Sequence, residues 1–284
     1  MTIAPPLIIL FYIVRSDKFK EPTGMIIKSF IIGILLCFPA GILNELLIFS
    51  NKDPSSVSYI AGFTEETLKF LALYFYIRKQ SHFNEPMDGI VYGALISLGF
   101  ASLENYEYVY LTEYDNSMKI AIIRSVTAIP LHAFCGITMG FYFGLHFFSE
   151  KKKSYLLKSL FVPMIIHATY NFFVGFSLLL GIGLVIIVFF NTKRLHSELK
   201  QKQFDKKIEK EVKLKGDDSE KIYGKSYLNQ EIAETSFGDE KIQNTSTDNI
   251  EEIEEELFKI EDMFKKEVIT KKERDLMRKK ILKI

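Results

Sequence analysis

From residue 1 to about residue 190 the chain is a series of long apolar runs separated by short polar connections. A helix needs about 20 mostly apolar residues to cross the hydrocarbon layer of a bilayer, and within that layer the backbone must satisfy its own hydrogen bonds. The runs predict spans over 25–49, 57–78, 88–112, 119–148, 157–174 and 175–190, with a shorter one over 3–14. The expected fold is all-α: a polytopic transmembrane helix bundle of about seven spans. The run 119–148 is too long for one perpendicular crossing and is expected to tilt or to extend beyond the bilayer. Ile3–Val14 has no Lys or Arg before it and no small-residue cleavage pattern after it, so it reads as an anchor rather than a signal peptide.

Average composition conceals this division. The formal net charge of +1 and the 25% of charged residues describe no real surface, because the apolar part and the Lys-, Glu-, Asp- and Asn-rich remainder are so unlike. Nothing in that balance supports a nucleic-acid partner. The expected organisation is a membrane domain over 1–192, a charged and partly disordered linker over 193–249, and a helical hairpin over 250–284. Cys37 and Cys135 lie within apolar runs, where they pack as small hydrophobes.

Basic residues alternate between connections. Arg15, Lys18 and Lys20 fall in the first, Arg78 and Lys79 in the third, Lys151, Lys152, Lys153 and Lys158 in the fifth, and Lys193 and Arg194 follow the last span. The other connections offer only Lys52 and Lys119, the latter beside Glu113 and Asp115. The positive-inside rule then predicts an N-terminus outside and a cytoplasmic tail.

A charged side chain near the bilayer centre costs a few kcal/mol even on lenient insertion scales, so ionisable groups within spans mark function by default. The third span carries Glu65, Glu66 and Lys69, with the acids four and three residues before the ammonium. Lys69 can compensate one of the two. The fourth span carries Glu104 and Asn105, the fifth His132, and the sixth His167 with Asn171 on the same helical face. With alternate spans antiparallel, Glu65 and Glu66 lie about eight residues, or roughly 12 Å, below the outer surface. Glu104 and His167 fall at a similar depth, and so does His132 if its long span begins outside the bilayer. Small residues recur every four positions at Gly89, Gly93, Ser97 and Ala101, in line with Asn105, and at Gly136, Gly140 and Gly144, in line with His132. Such stripes let helix backbones approach closely and turn the associated polar groups into the bundle.

Glu-Glu-x-x-Lys at Glu65, Glu66 and Lys69, Phe-x-x-x-Glu at Phe100 and Glu104, the lone His132, and His-x-x-x-Asn at His167 and Asn171 resemble the PrsW family. That family lies within the superfamily that includes the type II CAAX prenyl proteases. The match in order and spacing covers about residues 25–175. The prenyl proteases typically carry His at the position of Glu104, which places this chain nearer to PrsW. The resemblance implies an intramembrane endopeptidase of the bacterial cytoplasmic membrane that cleaves a single-pass membrane protein, such as an anti-sigma factor, near the outer face.

Amide hydrolysis needs an activated water, a stabilised oxyanion and a proton for the departing amine. Glu65 or Glu66 is the expected general base, and Glu104 helps to hold the water or donate a proton. His132 and His167 polarise the carbonyl, Asn171 orients His167 or donates directly, and Lys69 balances charge. With no His-Glu-x-x-His helix present, metal-free catalysis is the expectation. The alternative is a zinc ion held by Glu66, Glu104, His132 and His167. Two other functions fit parts of the pattern: a transporter or channel with an acidic relay, and a non-catalytic membrane scaffold. Taken singly, His132 also reads as a hydrogen-bonded packing residue. Glu45 and Arg124 lie near interfaces and read as snorkelling side chains, with pairing to a site carboxylate as the alternative for Arg124. In the tail, Ile253, Leu257, Ile260 and Phe264 recur at helical spacing, and Thr270 with Glu273 caps a second helix. The pair resembles the short oligomerisation module called SHOCT, which implies a homo-oligomer formed through the tail.

Overall fold

The computed structural model describes residues 2–111, 116–148, 153–204 and 260. Residues Met1–Asp205 form one compact unit. The linker beyond 204 and the expected hairpin over 250–284 lie outside the described residues, apart from Ile260.

Among the described residues eight α-helices follow one another: α1 (Ala4–Ser16), α2 (Thr23–Asn44), α3 (Ile60–Phe75), α4 (Pro86–Tyr106), α5 (Ser117–Val126), α6 (Ala128–Phe148), α7 (Lys153–Phe176) and α8 (Leu178–Phe204). No strand occurs among the described residues. Among the described residues five segments are long and apolar enough to cross a membrane: Thr23–Phe49, Pro86–Leu111, Ser117–Phe148, Lys153–Phe176 and Leu178–Phe204. The remaining two expected spans are shorter helices. α1 has 13 residues, and α3 has 16 and carries the two acids and the lysine.

The long run 119–148 is not one continuous α-helix. It breaks at Thr127, whose backbone leaves the helical region at φ −122° and ψ −78°. Pro130 explains the break, because its ring cannot donate to the carbonyl four residues earlier and clashes with it. Thr127 Oγ1 donates instead to Ile123 O at 2.7 Å. The restart at Ala128 puts His132 one turn into α6.

α4 is the central element. Proline at its first position and a reciprocal capping box between Glu85 and Asp88 fix its start. Almost every side chain from Met87 to Ser102 is buried, against α2 on one side and α6 on the other. The two small-residue stripes face each other here. A Cβ added at Gly93 would fall 2.4 Å from Gly136 O, and one at Gly89 would fall 2.3 Å from Gly140 O. By contrast α2 and α8 keep large apolar side chains exposed, among them Leu35, Phe38, Leu179 and Ile187. Apolar rows of this kind suit acyl chains rather than water.

Candidate active site

Polar residues of five helices, α3 to α7, meet at one end of the bundle, with Asn44 of α2 beside them. Gly62 makes the first junction possible, because a Cβ there would fall 2.4 Å from Ala168 N. One turn further along α3, Glu66 Oε1 lies 3.0 Å from His167 Nδ1 on α7. The same oxygen accepts from Lys69 Nζ at 2.7 Å. Glu65, on the adjacent position, has Oε2 at 3.8 Å from Lys69 Nζ and 3.9 Å from His167 Nδ1. Its Oε1 accepts from Asn44 Nδ2 on α2 at 3.3 Å, and Thr64 Oγ1 fixes that amide by donating to Asn44 Oδ1 at 2.6 Å.

The second junction joins α4, α5 and α6. His132 Nδ1 lies 3.0 Å from Lys69 Nζ, and His132 Nε2 lies 2.9 Å from Glu104 Oε2. An ammonium group only donates, so Nδ1 accepts and Nε2–H donates to Glu104. Arg124 closes the chain: its guanidinium donates to Glu104 Oε2 at 2.6 Å and to Asn105 Oδ1 at 2.9 Å, and lies 4.0 Å from the centre of the Tyr108 ring. The His132 and His167 rings meet edge to face at 4.8 Å, and Lys69 Nζ sits 4.2 Å from the centre of the Phe100 ring. Glu66, Lys69 and His132 are at most 1% exposed, and Glu65 and His167 are 3% exposed.

All five expected catalytic residues therefore belong to one network, with Lys69 at its hub and Asn105 beneath Arg124. Asn171 does not: its amide donates to Ser58 O at 3.3 Å, across to the segment before α3. Arg124 takes the alternative that the sequence left open: it pairs with the part-buried carboxylate of Glu104 on α4 instead of snorkelling. The available signal was energetic, since a lone guanidinium in an apolar run needs a partner as much as Glu104 does.

Two carboxylate oxygens, Glu65 Oε2 and Glu66 Oε2, are buried without a hydrogen-bond partner. His167 donates through Nδ1 to a carboxylate, which leaves its Nε2 as a lone pair. One donor atom from each of Glu65, His132 and His167 lies within 4.8 Å of the other two. A carboxylate with two imidazoles is a donor set that suits zinc, and these residues fit a metal once the Nδ1 lone pair of His132 passes from the Lys69 ammonium to the ion. Of the acids in the ligand set expected from sequence, Glu66 pairs with Lys69 and Glu104 with Arg124, and Glu65 is the acid whose oxygen lies with the two imidazoles.

The family described as PrsW family intramembrane metalloprotease matches residues 21–192, more than half of the chain. The chain belongs to the PrsW family. Among PrsW relatives, Protease PrsW of Bacillus subtilis (strain 168) is 38% identical over 176 residues, covering 60% of this chain and 79% of that protein. Protease PrsW of Clostridioides difficile (strain 630) is 32% identical over 197 residues, covering 66% and 83%. Protease PrsW of Geobacillus kaustophilus (strain HTA426) is 34% identical over 174 residues, covering 60% and 76%. No solved structure matches the chain. As a PrsW member the protein is an intramembrane protease, and its apolar helices make it a multi-pass membrane protein. The transporter and scaffold alternatives fall away. The family's description as metalloproteases is consistent with a metal at the Glu65, His132 and His167 group, against the metal-free expectation.

Proposed function

We propose that the protein hydrolyses a peptide bond of a single-pass membrane protein, such as an anti-sigma factor, in the outer half of the bacterial cytoplasmic membrane. The observation that carries this reading is the convergence of the α3 acids with the imidazoles of α6 and α7 in a buried centre. The Lys- and Arg-bearing connections after α1 and α3 lie at the other end of the bundle, which supports an outer location for the site and a cytoplasmic tail.

Glu65, His132 and His167 would hold a divalent metal, zinc by donor type. When bound it supplies Lewis-acid polarisation of the scissile carbonyl and makes a water more acidic. The rest of the work falls to the chain's own groups. Lys69 and His167 tie down Oε1 of Glu66, leaving Oε2 unpartnered. That oxygen accepts a proton from the attacking water and delivers it to the departing amine. Glu104, clamped by Arg124, fixes the ring and tautomer of His132. Asn44 and Thr64 set the angle of the Glu65 carboxylate. Closure of the centre by Phe100 and the packed helices limits bulk water, so each of these interactions acts in a low dielectric.

Reconstitution into liposomes with a single-pass substrate tests the reading. Glu66→Gln and His167→Ala are expected to abolish cleavage, and mass spectrometry of the native products is expected to locate the cut in the outer half of the substrate's span. Undiminished proteolysis by both variants would eliminate the assigned chemistry.

A further inference from the structure

At the opposite end of the bundle three acids meet. Asp17 and Glu21 lie in the connection between α1 and α2, and Asp88 in the first turn of α4. At about 1.5 Å per residue, the stretch of α4 from Asp88 to Glu104 separates this cluster from the active site by roughly 24 Å. One carboxylate oxygen from each of the three lies within 4.8 Å of the others. Asp17 and Asp88 are 2% and 1% exposed.

Their contacts leave a gap in the hydrogen bonding. Asp17 Oδ1 accepts from Phe19 N at 3.0 Å and from Gln203 Nε2 of α8 at 2.7 Å. Asp88 Oδ2 accepts from Asn84 N at 2.7 Å and Glu85 N at 2.8 Å. Glu21 Oε2 accepts from the Tyr92 hydroxyl, and Gln203 Nε2 also donates to Glu85. Asp17 Oδ2 and Asp88 Oδ1 remain buried with no donor, and the Glu21 and Asp88 carboxyls face each other at hydrogen-bonding range. The Lys20 ammonium is committed to the backbone carbonyls of Val14, Arg15 and Asp17. Burying carboxylates without a compensating cation is costly, and burial pushes the carboxyls of Asp17 and Glu21 above their ordinary range.

We infer that Asp17, Glu21 and Asp88 bind a hard divalent cation, calcium or magnesium, which ties the α1–α2 connection to the start of α4 and, through Gln203, to the end of α8. An all-oxygen set selects such ions, whereas the carboxylate and imidazole set of the active site suits zinc. The site is separate from the proteolytic centre and stands whatever substrate is cut.

The full chain, purified in detergent and stripped with a chelator, is titrated at fixed pH with calcium chloride, magnesium chloride or zinc chloride while thermal unfolding is followed. Calcium or magnesium at a hundredfold excess over its dissociation constant is expected to raise the midpoint by about 5–10 °C, in the native protein and in His167→Ala alike. Asp17→Asn and Asp88→Asn, which keep the oxygens that accept backbone hydrogen bonds, are expected to lose that response. Terbium, a hard ion whose emission nearby tyrosines sensitise, gives a direct readout on the native protein, with Tyr92 bonded to Glu21. The preference between calcium and magnesium follows from which shifts the midpoint at lower concentration. A native protein that neither binds terbium nor responds to either ion overturns the inference, as does an equal response in the Asn variants. Stabilisation by Asp88→Asn with no cation effect on the native chain also overturns it, and identifies proton sharing among the acids instead.

Discussion

Glu66 and His167 stand 101 residues apart in sequence, yet Oε1 of one lies 3.0 Å from Nδ1 of the other. The contact exists because Gly62, one turn earlier on α3, lets the α7 backbone close in at Ala168. Groups that act as a unit show non-additive losses. Glu66→Gln and His167→Ala are each expected to lower kcat/KM by about 10²–10⁴-fold. The double variant is expected to add less than about tenfold to the worse single change. Multiplicative losses in a liposome cleavage assay would show that the two residues work independently.

Arg124 and Glu104 form an ion pair at 2.6 Å with side chains 14% and 15% exposed. Removing one partner strands the other, at a cost of about 3–5 kcal/mol for a buried pair. Glu104→Gln and Arg124→Gln should each lower the unfolding midpoint, and the double change should recover part of the loss. Because Arg124 reaches the chemistry only through Glu104 and His132, Arg124→Gln is expected to lower kcat about 10–100-fold with little change in KM. Kinetics against a single-pass substrate separate the two parameters, and a pure KM effect would assign Arg124 to substrate binding.

Much of this site was legible from sequence because depth in a membrane is countable. Residues at fixed rise along antiparallel spans must share a level, and that placed Glu65, Glu66, Glu104 and His167 together. The stripes at Gly89, Gly93, Gly136 and Gly140 likewise marked α4 and α6 as helices that some neighbour approaches closely, and the structure shows that each is the other's neighbour. Other features depend on what counting does not carry. Pro130 stood in plain view, but whether a proline kinks, breaks or is absorbed depends on packing: Pro163 lies within the unbroken helix α7 and Pro39 within α2. Arg124, three residues before the break at Thr127, meets Glu104 from a helix separate from α6. The Asp17, Glu21 and Asp88 cluster joins distant segments whose acids individually look like ordinary loop and cap residues. Gln203 reaches it because α8 continues through a charged stretch to Phe204.

Close backbone contact gives a stability prediction with its own control. A Cβ at Gly93 would fall 2.4 Å from Gly136 O, which can yield only by moving α6, whereas nothing lies within 4 Å of a Cβ at Gly183. Gly93→Ala is expected to destabilise the bundle by about 1–3 kcal/mol through overpacking. Gly183→Ala should be neutral or stabilise by up to about 1 kcal/mol through helix propensity. Thermal unfolding in one detergent compares them directly. Equal midpoints would mean that the α4–α6 contact is looser than the structure has it.

Metal removal separates the roles of the glutamates. Exhaustive chelation is expected to stop cleavage, and zinc to restore it, whereas calcium or magnesium acting at the distant acidic cluster is not. Elemental analysis of the zinc-loaded protein should find about one ion per chain bound through Glu65, His132 and His167. Glu65→Gln removes a ligand and should lose that ion. Glu104→Gln loosens the support of His132 but removes no ligand, and should keep the ion with affinity about 10–100-fold weaker. The two acids are thus told apart by bound metal even where both variants are inactive. Full proteolysis by a protein shown to be free of metal would leave Glu65 and Glu66 to activate water unaided.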